Sequence, residues 1–169
     1  MTHKERVIRA LNHEETDRPP FQATFTPEFA DRLRVEFHLP PMFTEPHHRT
    51  WYGYDLEILT GQDALQAGAG WVTNYYLKPE AYTDEWGVEW KIDPYTTPFG
   101  VGHYTNIAHN PLRDNDEAAM AYKAPDPTRP ELYAHLERLV REYGQEYYII
   151  GRVHGTIFET AWALRGLDT

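Results

Sequence analysis

Residues 145–169 read QEYYIIGRVHGTIFETAWALRGLDT, and this stretch decides the fold. Residues 147–153 are nearly continuous in apolar side chains, the pattern of a parallel strand buried on both faces. His154, Gly155 and Thr156 break the run, and residues 158–166 then form a helix. A strand, a tight turn and a helix make a βα unit. In α/β folds the carboxyl end of such a strand is where ligands bind.

Outward from that unit, the pattern repeats. DPTRPELYAHLERLVREYG predicts a helix whose apolar stripe is Leu132, Leu136, Leu139, Val140 and Tyr143, with Gly144 ending it. DALQAGAG, residues 63–70, predicts a short strand of small residues. FQATFT, residues 21–26, predicts another, with Phe21, Ala23 and Phe25 alternating with Gln22, Thr24 and Thr26. Thr26-Pro27 starts a helix that turns Phe29, Ala30, Leu33 and Phe37 inward. At the amino end Thr2 and Glu5 form a capping box. Val7, Ala10 and Leu11 give its helix an apolar stripe, which stops near Asn12 or His13. Pro19 and Pro20 force an extended segment after it. Residues 54–59 form a short helix with Gly61 as its left-handed cap.

One segment follows a different rule. In YTDEWGVEWKID, Trp86, Val88, Trp90 and Ile92 recur at period two, which predicts a half-buried antiparallel strand. It pairs with VGHYTNIAH as an excursion, and Pro94, Pro98 and Gly100 supply the turn. Strands alternating with helices predict βαβ units and a parallel sheet, so the fold class is α/β.

Bulk composition narrows the function. A chain of 169 residues suits one domain, and 41% hydrophobic with 25% charged residues predicts a folded chain. The net charge of −10 repels phosphate backbones and argues against nucleic-acid binding. No apolar run approaches the roughly 20 residues of a membrane span. MTHKERVIRALNHEE lacks the apolar core of a signal peptide, and cysteine is absent, so cytoplasm is the expected compartment.

Candidate functional residues sit at strand ends. His154 and Thr156 flank a turn where free N–H groups could hold an anion; alternatively Gly155 merely permits the turn and His154 caps locally. Gln22 and Thr24 point away from the apolar side of their segment, toward substrate or toward neighbouring loops. Asp84 or Glu85 could act as an acid/base group, or the tryptophans beside them are core and the carboxylates solvated. His47, His48, His103 and His109 match no compact metal motif, and we assign no metal.

Several of these stretches together resemble the uroporphyrinogen decarboxylase superfamily. THKERVIRALNHEETDRPPF is similar to its opening signature. DEWGVEWK is similar to a segment of its corrinoid methyltransferase-like branch, and GTIFETAWALRGLD to its third strand–helix junction. The resemblance implies a (β/α)8 TIM barrel of roughly twice this length. Residues 1–169 would then form one partial barrel domain with about three of the eight strands, its amino-terminal helices and a hairpin insert. The remaining half of the barrel would come from outside this chain, and the stop after Thr169 would fall in mid-fold.

Two branches are separable by residue. True decarboxylases carry Arg-Gln-Ala-Gly-Arg-Tyr after the first strand to grip carboxylates, and Phe-Ser-Asp-Ile after the second. FQATFTPEFADRL and QAGAGWV stand in those places here, without the arginines or the aspartate. The resemblance therefore favours a methyltransferase that moves a methyl group between a corrinoid protein and a thiol-type or related acceptor. It implies zinc held by residues of the other half of the barrel, lowering a thiol's pKa, and a corrinoid carried by a partner protein. Gln22, Thr24, His154 and Thr156 would line the mouth near a small-molecule substrate; no residue is assigned as catalytic acid or base. The alternatives are a decarboxylase of a porphyrinogen or smaller acid and, from another class, a non-catalytic half-barrel assembly module that homo-oligomerises.

Overall fold

Local signals in the sequence set most of the element boundaries. A computed structural model describes residues 1–41, 53–69, 81–98, 100–153, 155 and 157–167. In chain order its elements are α1 (His3–Leu11), α2 (Pro27–Glu36), α3 (Asp55–Leu59), β1 (Ala64–Ala69), β2 (Ala81–Thr83), β3 (Glu89–Thr97), β4 (Gly100–His109), α4 (Asp116–Ala121), α5 (Ala134–Tyr143), β5 (Tyr148–Val153) and α6 (Ile157–Arg165). The chain is a mixed α/β protein and divides into two units, Met1–Val72 with Arg129–Val153, and Thr73–Thr128 with His154–Thr169.

In the first unit β1 and β5 pair in parallel, from Ala64 opposite Tyr148 to Ala69 opposite Val153. Leu65 and Ala67 on one face of β1 pack with Tyr54, Leu139 and Tyr147, and Leu136, Tyr143 and Ile149 close over them. The expected capping box is present: the Glu5 N–H donates to Thr2 Oγ at 3.1 Å and the Thr2 N–H to the Glu5 carboxylate at 3.4 Å. Gly61 takes the left-handed conformation at φ +76, which a side chain rarely adopts.

Several expectations need correction. Residues 21–26 are extended but form no strand. Their link to the start of β1 is one backbone bond, Asp63 N–H to Phe21 O at 2.7 Å, reinforced by side chains of Gln62 and Asp63. One bond builds no ladder. The buried residue of α1 is Arg6, while Leu11 of its expected stripe is 61% exposed. On α2, Ala30 is buried but Phe29 and Phe37 are exposed. There Arg34 is buried instead, its guanidinium forking onto the Asp55 carboxylate at 2.8 and 2.6 Å. Val140 of α5 is exposed. Gly144 ends α5 without a left-handed turn, at φ −67; glycine is needed there because a Cβ would collide with the Val140 carbonyl. Most of the Pro-rich 38–50 stretch lies outside the described residues.

The misplaced burial on α1 has a physical source. Asp63, fully buried just before β1, is the centre of an ion cluster. Arg6 Nη1 donates to it at 2.5 Å, Arg18 Nη1 and Nη2 at 2.6 and 2.9 Å, and the Phe21 N–H at 2.8 Å. His3 Nδ1 lies 2.8 Å away, and its ring stacks on Tyr147 with centroids 4.7 Å apart. Asp17 takes the other edge of Arg6 at 2.6 and 2.8 Å. A buried carboxylate is tolerable only with partners of this number and geometry.

The second unit is a three-stranded antiparallel sheet ordered β2-β3-β4. The expected hairpin is present, with Glu89 to Thr97 pairing His109 to Gly100. Trp86 and Val88 precede the strand, in a turn that Asp84 organises. Pro94 lies inside β3 opposite His103, not in the turn. Among the described residues the short β2 pairs only with residues 89–91, so Pro94 lies beyond that pairing. In the same unit the Asn110 side-chain amide donates to the Trp162 and Ala163 carbonyls at 3.1 and 2.8 Å. It thereby caps the end of α6, where the Trp162 carbonyl also accepts from the Gly166 N–H at 2.7 Å.

Replacing Asp63 with Asn leaves two arginines facing a neutral amide. We expect Asp63→Asn to lower unfolding free energy by about 3–5 kcal/mol in urea titrations, the usual cost of breaking a buried ion pair. Burial pushes the Asp63 carboxyl up, but hydrogen bonds from Arg18, the Phe21 N–H, His3 and Arg6 outweigh it and hold the pKa at about 2, below the ordinary 3.8. A depressed pKa adds stability above the unfolded value and loses it on acidification. Wild-type stability should thus fall between pH 4 and 2, and the Asn variant should lack that component of the fall.

Candidate functional site

Strand alternation sorts the side chains of β1 and β5 onto two faces. Leu65, Ala67 and Ile149 belong to the core described above. Ala64, Gln66 and Gly68 lie on the other face, in register with Tyr148, Ile150 and Arg152. Exposure rises along this second face toward the carboxyl ends: Ala64 is buried, Gln66 and Gly68 are half-buried, and Arg152 is exposed. Solvent therefore reaches the face at the strand ends where α/β folds bind ligands.

Thr24 belongs to this face. Gln66 Nε2 donates to Thr24 Oγ at 2.7 Å, fixing the extended segment beside β1. That bond uses one of two amide hydrogens of Gln66 and leaves the Thr24 hydroxyl hydrogen available. Gly68 sits opposite Arg152 and places no side chain on the face. At the other end, Gln62 is fully buried; its Oε1 accepts from the Ala23 N–H at 3.1 Å, and its Nε2 has no hydrogen-bond partner among the described residues. A buried donor left unpaired costs about 1–3 kcal/mol.

The four residues expected at the mouth fare differently. Thr24 joins Gln66 on this face, and Gln22 is exposed on the same extended segment. His154 and Thr156 lie outside the described residues. Gln66 and Arg152 went unnoticed in the sequence. The signal was present, since Arg152 falls at period two with Tyr148 and Ile150, but only the pairing register brings it opposite Gly68.

Two other ionisable sets have structural explanations. Asp84 accepts from the N–H groups of Trp86 and Val88 at 2.8 and 3.0 Å and from Trp90 Nε1 at 2.7 Å. All its strong acceptor directions point into the turn, which suits a turn-former better than an acid/base group. The Asp63 cluster sits at the amino end of β1, about 16 Å along the strand from Gly68 at 3.3 Å per residue. Among the described residues no three His, Asp or Glu side chains form a group able to hold a metal; His47 and His48 lie outside those residues. No helix among them is long and apolar enough to cross a membrane.

No protein-family model, curated protein or solved structure matches this chain. The functional reading therefore stands on the residues themselves.

The Thr24–Gln66 bond is measurable. A double-mutant cycle of Thr24→Val and Gln66→Ala, read by urea unfolding, should give a coupling of about 0.5–1.5 kcal/mol. Additivity of the two substitutions would remove Thr24 from this face.

Proposed function

We propose that this chain is the front portion of an enzyme resembling the uroporphyrinogen decarboxylase superfamily, of the branch that moves methyl groups between a corrinoid protein and a thiol-type acceptor. The barrel is built from this chain's units together with a further half, and it works in the cytoplasm.

The observation that carries the reading joins the opening signature to the sheet. In THKERVIRALNHEETDRPPF, the polar residues His3, Arg6, Asp17 and Arg18 are the ones that gather at Asp63. The signature is thus a lock on the amino end of β1. In barrel enzymes that end serves stability, and the carboxyl end serves chemistry. The order of neighbours agrees. The 21–23 segment lies beside the start of β1, and β1 pairs in parallel with β5, with the hairpin strands between them in sequence set apart in another sheet. A barrel requires that order.

On this reading the carboxyl-end face binds and orients substrate. Thr24 and Gln66 supply hydrogen bonds from a fixed pair, Thr24 exposed and Gln66 half-buried. When bound, zinc supplies a thiolate by lowering the thiol's pKa. The chain has no cysteine, and its described residues include no metal-holding group, so they do not fit that ion. On this reading the ion's ligands would come from residues other than these.

The test uses the protein expressed from its whole reading frame. Incubated with zinc, a methylated corrinoid and a thiol, it should convert the methyl-cobalt spectrum to that of the demethylated corrinoid. Conversion of uroporphyrinogen to coproporphyrinogen, without methyl transfer, would place the protein in the decarboxylase branch instead.

A further inference from the structure

Arg152 is an exposed arginine on the open end of the β1–β5 face, and among the described residues it makes no hydrogen bond or ion pair. The chain carries 26 acidic and 16 basic residues, so an unneutralised arginine runs against its charge balance. Other arginines of the first unit are engaged: Arg6 and Arg18 by Asp63, Arg9 by Glu5, Arg34 by Asp55, Arg138 and Arg141 by Glu142. Its position is specific. Gly68 lies directly opposite, and Gln66 is one pleat back on the same face, a diagonal neighbour within reach of long side chains.

The face keeps donors beside the Gln66 Oε1 acceptor. Gln66 retains one amide hydrogen, Thr24 retains its hydroxyl hydrogen, and Arg152 has five N–H groups. Gly68 leaves the space above it free of side chain, as strand glycines do where a ligand comes close to the backbone. Arg152 and Gln66, on one face beside a glycine that adds no side chain, suit an acceptor-rich anion. A planar guanidinium favours a planar carboxylate, which it grips through two parallel bonds.

We infer that Arg152, with Gln66 and Thr24, forms a carboxylate-binding subsite for a small substrate at the carboxyl edge of β1 and β5. One arginine matches one carboxylate, not the many of a porphyrinogen. This inference rests on the reading that the carboxyl edge carries the site, and it names the substrate class that site takes. The carboxylate can belong to the methyl donor or to the acceptor.

The test is a titration of the whole protein with sodium succinate, following the backbone amide resonances of Gln66 and Gly68, which every variant retains, by NMR. Sodium phosphate and sodium chloride at matched ionic strength serve as comparisons. Succinate should produce a saturable shift at millimolar concentration, chloride none, and phosphate a weaker one. Arg152→Gln should weaken succinate binding about tenfold or more, the loss expected of a charged hydrogen-bond partner. Arg152→Lys should recover part of it, and Lys123→Gln, at an exposed cation of the other unit, should leave it unchanged. Since Arg152 makes no hydrogen bond or ion pair among the described residues, the variant's unfolding midpoint should match the wild type. Non-saturable succinate shifts, phosphate binding more tightly than succinate, or undiminished binding in Arg152→Gln would each overturn the subsite. Succinate binding without methyl transfer would sink the proposed activity and leave this inference standing. Methyl transfer with a KM indifferent to Arg152→Gln would do the reverse.

Discussion

A single buried carboxylate organises the first unit. Asp63 draws Arg6 from α1, Arg18 and the Phe21 N–H from the extended segment, and His3 from the chain's opening turn. Desolvating a charge is costly, and the cost is met here by donors on almost every side. The consequence is geometric. Segments distant in sequence are pinned to the first residue before β1, so the segment carrying Thr24 is laid along the strand. The amino end is thereby made rigid, and the carboxyl end is left accessible for other work.

That division of labour explains why ionic density and chemical opportunity separate in this protein. The amino end of β1 has paired charges, a stacked histidine and little exposed surface. The carboxyl end has a half-buried amide, a hydroxyl, a bare glycine and an arginine unpaired among the described residues. Pairing consumes reactivity: Asp63 accepts bonds on both oxygens from two arginines, a histidine and a backbone N–H, and Asp84 is held by three donors of its own turn and strand. Groups available to a ligand are those whose hydrogen bonds are incomplete.

Much of this was legible in the residues. The capping box at Thr2, the Thr26-Pro27 helix start, the turn at Gly61, the parallel strand at 148–153 and the hairpin all follow from local rules that tertiary structure respects. Failures came where burial was inferred from apolarity. Leu11, Phe29 and Phe37 were expected inside, yet Arg6 and Arg34 took those places, because two aspartates elsewhere in the chain, Asp63 and Asp55, neutralise them. Such pairing is long-range, and no periodicity within α1 or α2 encodes it. The 21–26 segment alternates like a strand but bonds to β1 mainly through side chains, which a pattern of apolar residues cannot distinguish from a ladder. The site was half-legible for a similar reason. Thr24 was recognisable by alternation alone, whereas Gln66 and Arg152 acquire meaning only from the register between two strands more than 70 residues apart in the chain.

The central claim is that the Asp63 carboxylate ties the amino-terminal segment to the sheet. Amide hydrogen exchange on the whole protein tests it residue by residue. The account predicts that the Phe21 N–H, though near the surface in a segment without a strand ladder, exchanges as slowly as the β1–β5 amides, and that Asp63→Asn selectively accelerates it. Rapid exchange of Phe21 in the wild type, beside fully protected β1 and β5, would contradict the claim.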